Sequence, residues 1–410
     1  MRKRIPIISF LFLFCCITTV RSQRPVPTTI TWELATPQYP TPDAFVYAFN
    51  VKEMGAKGDG ITDDTEAFQT ALNKLKLINN VATRFGGTVF VPSGKYVIKG
   101  NLTIPKGVTL RGEWKKPVKG EPIEGTILMA YAGRGDENAT PLITMEPAAG
   151  VMDLAIWYPE QTPDNIVPYP ASIVMGKPKH FGNEYCNVKN ITLVNSYIGI
   201  AISRVNGGGC PVFYDIYGSP LSVGIEIDYI ADVGRIDRVD FSPAYWCGSG
   251  LPDSPAAGGS FDKWIYENGT GIMMRKNDWS YTTNITVEGY KVGFNAAPSI
   301  TNEGSKPNGQ NYQLKVIGCK TGIQCDAIAN SGIQFTRSII KNCENGVVVN
   351  KGTAGALHFH TCEIDATQNA FVTDAESSTR IMILQNQIQK GNVNINGAIL
   401  TFIYCDFYNP

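Results

Sequence analysis

The amino-acid sequence predicts an all-β fold, a right-handed single-stranded parallel β-helix with an N-terminal capping helix. Two observations predict the solenoid: Val316, Ile340 and Ile364 recur 24 residues apart, as do Gly322, Gly346 and Ala370, and each of those small residues opens an alternating strand. The strands read Gly322-Ile-Gln-Cys-Asp, Gly346-Val-Val-Val-Asn and Ala370-Phe-Val-Thr-Asp, with earlier copies at Gly199-Ile-Ala-Ile-Ser and Gly224-Ile-Glu-Ile-Asp. A fixed period of this size is the mark of stacked coils, each covering the apolar edge of the next. A third observation supplies the cap: one amphipathic helical pattern precedes all of these strands.

Residues 1–22 carry Arg2, Lys3 and Arg4, an apolar run from Ile5 to Ile17 and a permissive Val20-Arg21-Ser22, the layout of a secretory signal peptide. Cys15-Cys16 would suit lipidation, but Phe14 is bulky where such a site wants a small residue. Residues 23–46, with Pro25, Pro27, Pro37, Pro40 and Pro42, read as an extended lead-in. No later stretch is apolar for the length of a bilayer span, so an exported chain is expected, extracellular or periplasmic.

From residue 47 to 410 one solenoid is expected, with no Pro/Gly/Ser linker dividing it. It opens on Phe49 to Asn73, FNVKEMGAKGDGITDDTEAFQTALN, in which Gly55, Gly58 and Gly60 permit a turn and Asp63 or Asp64 can accept bonds from the first free helix amides. Ala67, Phe68, Ala71, Leu72 and Leu75 then form one apolar helix face. In GGTVFVPSGKYVI, Val89, Val91, Tyr96 and Ile98 alternate around a Pro-Ser-Gly turn, as strands do. These two motifs resemble the N-terminal signature of the pectate lyase 3 superfamily, also described as related to glycoside hydrolase family 28, whose relatives include family 55 glucanases, pectin-active enzymes and phage tailspikes. The resemblance covers roughly residues 49–112 and implies the fold and a polysaccharide partner, not one reaction. It also implies that Asp63 and Asp64 serve a turn and helix cap rather than catalysis.

Along the body, Ile200, Ile202, Ile225, Ile227, Ile323, Cys325, Val347 and Val349 share the inward parity of their strands. Long excursions at roughly 112–140, 157–186 and 243–270 interrupt the coils, and loops of that length commonly wall a binding groove. Cys319 and Cys343 fall at equivalent positions one coil apart, compatible with a disulfide or with a stacked pair of buried thiols. The remaining cysteines, Cys186, Cys210, Cys247, Cys325, Cys362 and Cys405, match neither a small disulfide scaffold nor a zinc site. Lys plus Arg equals Asp plus Glu, 36 each, which leaves no footprint for nucleic acid or an anionic membrane surface.

Hydrolysis of a glycosidic bond needs two carboxyl groups on one face, one protonated and one ionised. Glu226 and Asp228, two residues apart on the strand after Gly224, share the outward parity; Glu226 is the preferred acid, with Asp228 or Asp240 as base. Asp215, Asp232 and Asp237 lie on the same or adjoining coils. Asp228 recurs as Ser203, Asp326, Asn350 and Asp374, the signature of a strand-end turn residue, and Asp237 and Asp240 flank Arg235 and Arg238, a pattern also produced by surface ion pairs. Candidate sugar-stacking aromatics are Trp157, Tyr158, Tyr245 and Trp246, beside Tyr169, Trp264 and Trp279. No cofactor is expected for this chemistry.

The rival chemistry is β-elimination from a uronic-acid polymer, for which calcium would be the natural helper. His180, in the second excursion, is its candidate base or substrate contact, whereas His358 and His360 share parity with Cys362 and Ile364 and are expected to face inward. No H-x-x-H, CxxC or EF-hand spacing occurs, so no metal is expected otherwise. The body has no Gly-His-Gly and only the N-terminal Asp-Asp, so it departs from the family 28 polygalacturonase set. A non-catalytic glycan-binding solenoid is the third alternative; the sugar and the oligomeric state are not encoded in these patterns.

Overall fold

One period of the sequence builds one coil of a right-handed parallel β-helix in the computed structural model, which describes residues 31–408 apart from 40, 42, 83–85, 177–182, 203–207 and 302–303. The signal-peptide expectation for residues 1–22 and candidate His180 lie outside the described residues. Each coil contributes a straight strand and a bent strand, and each pairs in parallel with its equivalent one coil on. The straight strands include Ala171–Met175, Ile198–Ile202, Val223–Ile227, Thr270–Met274, Val292–Ala296 and Thr321–Cys325. The Gly-opened motifs are these strands, and Ile200, Ile225, Ile272, Phe294, Ile323 and Val347 stack through their register into the core. The expected inward parity holds throughout this set.

The bent strands are Gly150–Trp157, Asn187–Leu193, Val212–Gly218, Arg235–Phe241, Tyr281–Glu288 and Gly309–Ile317. Each turns a corner at one left-handed residue: Asp153, Asn190, Asp215, Arg238, Asn284 and Gln313, with φ between 53° and 59°. The neighbours of each pair with the neighbours of the next, so the six corner residues stack into a ladder along the axis. A left-handed non-glycine residue is uncommon except for Asn and Asp, whose short polar side chains bond locally. Here it turns the strand while keeping both halves in the ladder, and it moves one side chain outward at the corner.

The capping helix runs Thr65–Ala82 and buries Phe68, Ala71, Leu72 and Leu75 against the first coils. Asp63 accepts from the Thr65 amide at 3.1 Å, as expected of a cap, whereas Asp64 is buried and accepts from the amides of Lys57 and Gly58 at 2.6 and 3.0 Å, holding the glycine turn. The lead-in adds a two-stranded antiparallel ribbon, Glu33–Leu34 with Val46–Tyr47. The third excursion folds into two helices, Ala244–Cys247 and Ser260–Asn268.

Two expectations need correction or settling. His358 and His360 face outward and are half-buried, because Leu357 and Phe359 take the inward positions; Thr361 at φ 54° resets the parity before Cys362. The cysteines among the described residues are free thiols, and Cys319 and Cys343 each lie near a backbone carbonyl of the preceding coil, at 3.8 and 3.9 Å.

Candidate functional site

The corner ladder gathers charge where the stack is open to solvent. Arg238 forks onto Asp215, Nε and Nη2 each donating at 2.8 Å, and its Nη1 donates to Asp237. Such a bidentate pair fixes orientation as well as charge. Asp237 is held from its other side by Thr283 Oγ1 at 2.6 Å and Asn284 Nδ2 at 2.8 Å. The guanidinium lies 5.4 Å from the ring centroid of Tyr214, and the Asp215 contact pushes its pKa above the ordinary arginine value. With 47% of its side chain exposed, Arg238 still offers a face to a ligand.

Tyr214, Asp237 and Lys189 occupy outward positions in consecutive coils just before the corner, in register with Thr283 and Tyr312 beyond them. A cavity of about 530 Å³ lies over this row, lined by Met152, Lys189, Tyr214, Asp237 and Arg238 among others. Around the corner, a second of about 250 Å³ is lined by Tyr39, Thr41, Trp114, Lys116, Asn190 and Asp215 among others. The two flank the ladder on either side of the sequence neighbours Lys189-Asn190 and Tyr214-Asp215, and together are called the corner groove. The stretch from Gly112 to Gly125 lies over the far half of the bent strands: Trp114 Nε1 donates to Thr192 at 2.9 Å, and the Lys116 ammonium lies 5.2 Å from the Tyr217 ring.

The residues expected to carry hydrolysis fall in three different settings. Glu226 faces out from a straight strand but is only 1% exposed, and its Oε1 accepts from Arg275 Nε at 2.7 Å. Asp228 is fully buried and accepts from the amides of Ile300 and Thr301 at 2.9 and 3.1 Å, the turn-holding role that its recurrence suggested. Asp240 lies on a bent strand, beyond its corner, and meets Lys119 at 2.9 Å; the same ammonium reaches Glu288 at 2.8 Å. Straight and bent strands form separate ladders, so the fold does not bring Asp240 to Glu226 and Asp228.

The four leading aromatic candidates are buried. Trp157 and Tyr158 are buried, Tyr158 Oη lying 2.9 Å from Ser172 Oγ, and Tyr245 and Trp246 are buried as the third excursion folds back, Trp246 packing on Phe261 at 4.7 Å. Burial of their faces is the physical reason they cannot serve as open stacking platforms. Trp279, also a candidate, is exposed, as are Tyr185, Tyr281 and Tyr312 near the bent strands. Among the described residues, no group of three or more His, Cys, Asp and Glu side chains is placed to hold a metal ion. No described helix is long and apolar enough to cross a membrane.

Residues 48–129 match the model of the family described as rhamnogalacturonase A/epimerase, pectate lyase-like. The non-secreted LysM effector LysM19 of Penicillium expansum is 41% identical across 95 residues, 22% of this chain and 7% of that protein. Alginate lyase 7 of Azotobacter vinelandii is 48% identical across 88 residues, 22% of this chain and 8% of that enzyme. The chain thus spans less than a tenth of the length of these curated relatives. The A-module of mannuronan C-5 epimerase AlgE4 from Azotobacter vinelandii superposes over 88% of this chain and 96% of its own, with a TM-score of 0.57 at 15% identity. That likeness concerns the fold.

Proposed function

We propose that this chain, a parallel β-helix whose residues 48–129 match a pectate lyase-like family model, acts on a uronic-acid polysaccharide by abstracting the proton at C5, the step that opens β-elimination. The single observation that carries this reading is the exposed Arg238, fixed by Asp215 and Asp237 over Tyr214. The C5 proton of a uronate becomes acidic only when charge building on its carboxylate is neutralised, and a preorganised guanidinium matches a carboxylate in two parallel hydrogen bonds. Asp215 takes Nε–H and one hydrogen of Nη2, and Asp237 takes one hydrogen of Nη1, so one hydrogen on each terminal nitrogen is left for a uronate carboxylate. Lys189 and Tyr214, in outward positions beside it, are the groups that can take the proton and return one to the leaving oxygen. Neutralisation falls to Arg238, with Lys116 around the corner meeting a neighbouring uronate.

Hydrolysis fits the same residues less well. Asp215 and Asp237 are committed to Arg238, Asp240 and Glu288 to Lys119, and Glu226 to Arg275. A hydrolytic pair needs one carboxyl group free to carry a proton to the leaving oxygen.

The test is digestion of a panel of uronate and neutral glycans in deuterated buffer, read for unsaturated products, reducing ends and deuterium at C5. Unsaturated ends on a uronate polymer are the expected result. Reducing ends without unsaturation would replace this reading with hydrolysis, and binding without turnover would replace it with a glycan-binding solenoid. A companion variant separates the two acidic centres. Glu226→Gln leaves Arg275 without its counter-charge; because Arg275 keeps some solvent contact, the expected loss is about 2 kcal/mol in urea unfolding rather than the larger cost of a fully buried pair. Its turnover is expected to stay within about threefold of wild type, since Glu226 is outside the groove, and a loss of two orders of magnitude would return catalysis to the straight strands.

A further inference from the structure

The corner ladder disappears progressively into the molecule at one end. Asp153 is 1% and Asn190 5% exposed, whereas the side chain of Asp215 is 18% and that of Arg238 47% exposed, and Asn284 and Gln313 beyond them lie open. We propose that the groove is blind at its N-terminal end, so that it takes the end of a polysaccharide chain and acts there rather than in the chain interior. The inference rests on the reading of this groove as a uronate-binding site.

The wall has two layers. Tyr39 and Thr41 of the lead-in and Trp114 of the Gly112–Gly125 stretch line the same cavity as Asp215. The lead-in is bolted in place: Glu113, 4% exposed, accepts from the amides of Gln38 and Tyr39 with one oxygen and from that of Ser93 with the other. Arg111 adds a second fastening. Its Nη1 and Nη2 donate to Asp43 at 3.1 and 2.8 Å, its Nε donates to Asp153 at 2.5 Å, and its guanidinium lies 3.8 Å from the Phe45 ring centroid. A strap held by buried carboxylate and guanidinium contacts at both fastenings is a fixed wall, not a gate.

From Arg238 the ladder passes Asp215 and Asn190 to reach Asp153, three coil steps in all. Because Asn190 and Asp153 are buried, the open part ends beyond Asp215, and at about 4.8 Å per coil it leaves roughly 5–10 Å, room for a chain end but not for a polymer passing through. In the other direction the exposed Tyr281 and Tyr312 continue the surface.

The number of protein molecules bound per polymer chain reports this directly and needs no turnover. Polygalacturonate and polymannuronate fractions of increasing mean length are titrated into the purified chain by calorimetry, and digestion products are sized in parallel. An end-binding groove gives one protein per chain at every length and, where turnover occurs, short products of uniform size from the start. Protein per chain rising in proportion to length, or early products of mixed size, would overturn the blind end and leave the uronate reading standing. No binding to any fraction would remove both. In the double variant Tyr39→Ala and Trp114→Ala, the protein-to-chain ratio is expected to rise with length; a ratio that stays at one in this variant would show that the wall is not what selects the end, and would overturn the proposal.

Discussion

Replacing Arg238 by glutamine is expected to lower kcat/KM on a uronate polymer by about 100-fold or more, the usual cost of losing one preorganised charge-stabilising group. The fold should survive. Gln313 already occupies the same ladder position two coils away with φ 56°, so this chain accepts glutamine in the left-handed corner conformation that Arg238 adopts at φ 55°. The ion pairs lost are partly solvent-exposed and contribute little to stability, so thermal melting should move by only a few degrees. Arg238→Lys keeps the charge but not the fork, and should recover part of the rate without restoring the wild-type value. Steady-state kinetics of the three proteins beside their melting curves checks this. Unchanged turnover in Arg238→Gln would take the reaction away from the corner groove.

What the sequence disclosed and what it hid divide along a physical line. The coil period, the glycine-opened strands and the inward positions were legible because every coil must bury the same edge, which imprints one pattern on many segments. The capping helix was legible for the same reason, its apolar face being local. The corner residues were not, because Asp153, Asn190, Asp215 and Arg238 sit inside strands where a polar residue reads as simply outward. A signal did exist: Asn190-Ile-Thr, Asp215-Ile-Tyr, Arg238-Val-Asp and Asn284-Ile-Thr repeat a polar residue before a β-branched one, coil after coil. The same kink at Thr361 reversed the expected parity of His358 and His360. The spacing of Asp237 beside Arg238 predicts a surface ion pair, and it forms one; what spacing does not convey is that Asp215, one coil earlier, closes the pair into a clamp. The aromatics of the excursions misled because composition does not say whether a long loop stands open or, as with Trp246 against Phe261, folds back and buries its rings.

The largest effect on folding is expected at Gly224, where replacement by alanine should cost upward of about 3 kcal/mol, at the high end for overpacking. The straight strands stack their opening glycines one on another, and backbone carbonyls fill the space that a side chain would need. A Cβ on Gly224 would lie 2.5 Å from the carbonyl oxygen of Gly271 and 2.3 Å from Phe241, and one on Gly199 would lie 2.4 Å from the oxygen of Gly224. Neither obstacle can yield cheaply, because the oxygen belongs to the next coil's hydrogen-bonded ladder and the ring is fully buried. Each coil is stabilised mainly through its two neighbours, so a misfit here loosens the coils on both sides, including the one that carries Arg238. At Ala370 the run of glycines ends and a Cβ is already accommodated, so Ala370→Gly should cost only about 1–2 kcal/mol, the loss of one buried methyl group plus the entropic penalty of glycine in a strand. Urea unfolding of the two variants supplies the comparison. A small loss in Gly224→Ala would mean that the coils can slide apart to admit a methyl group, and the close approach of successive glycines would then be a consequence of the fold rather than a condition for it.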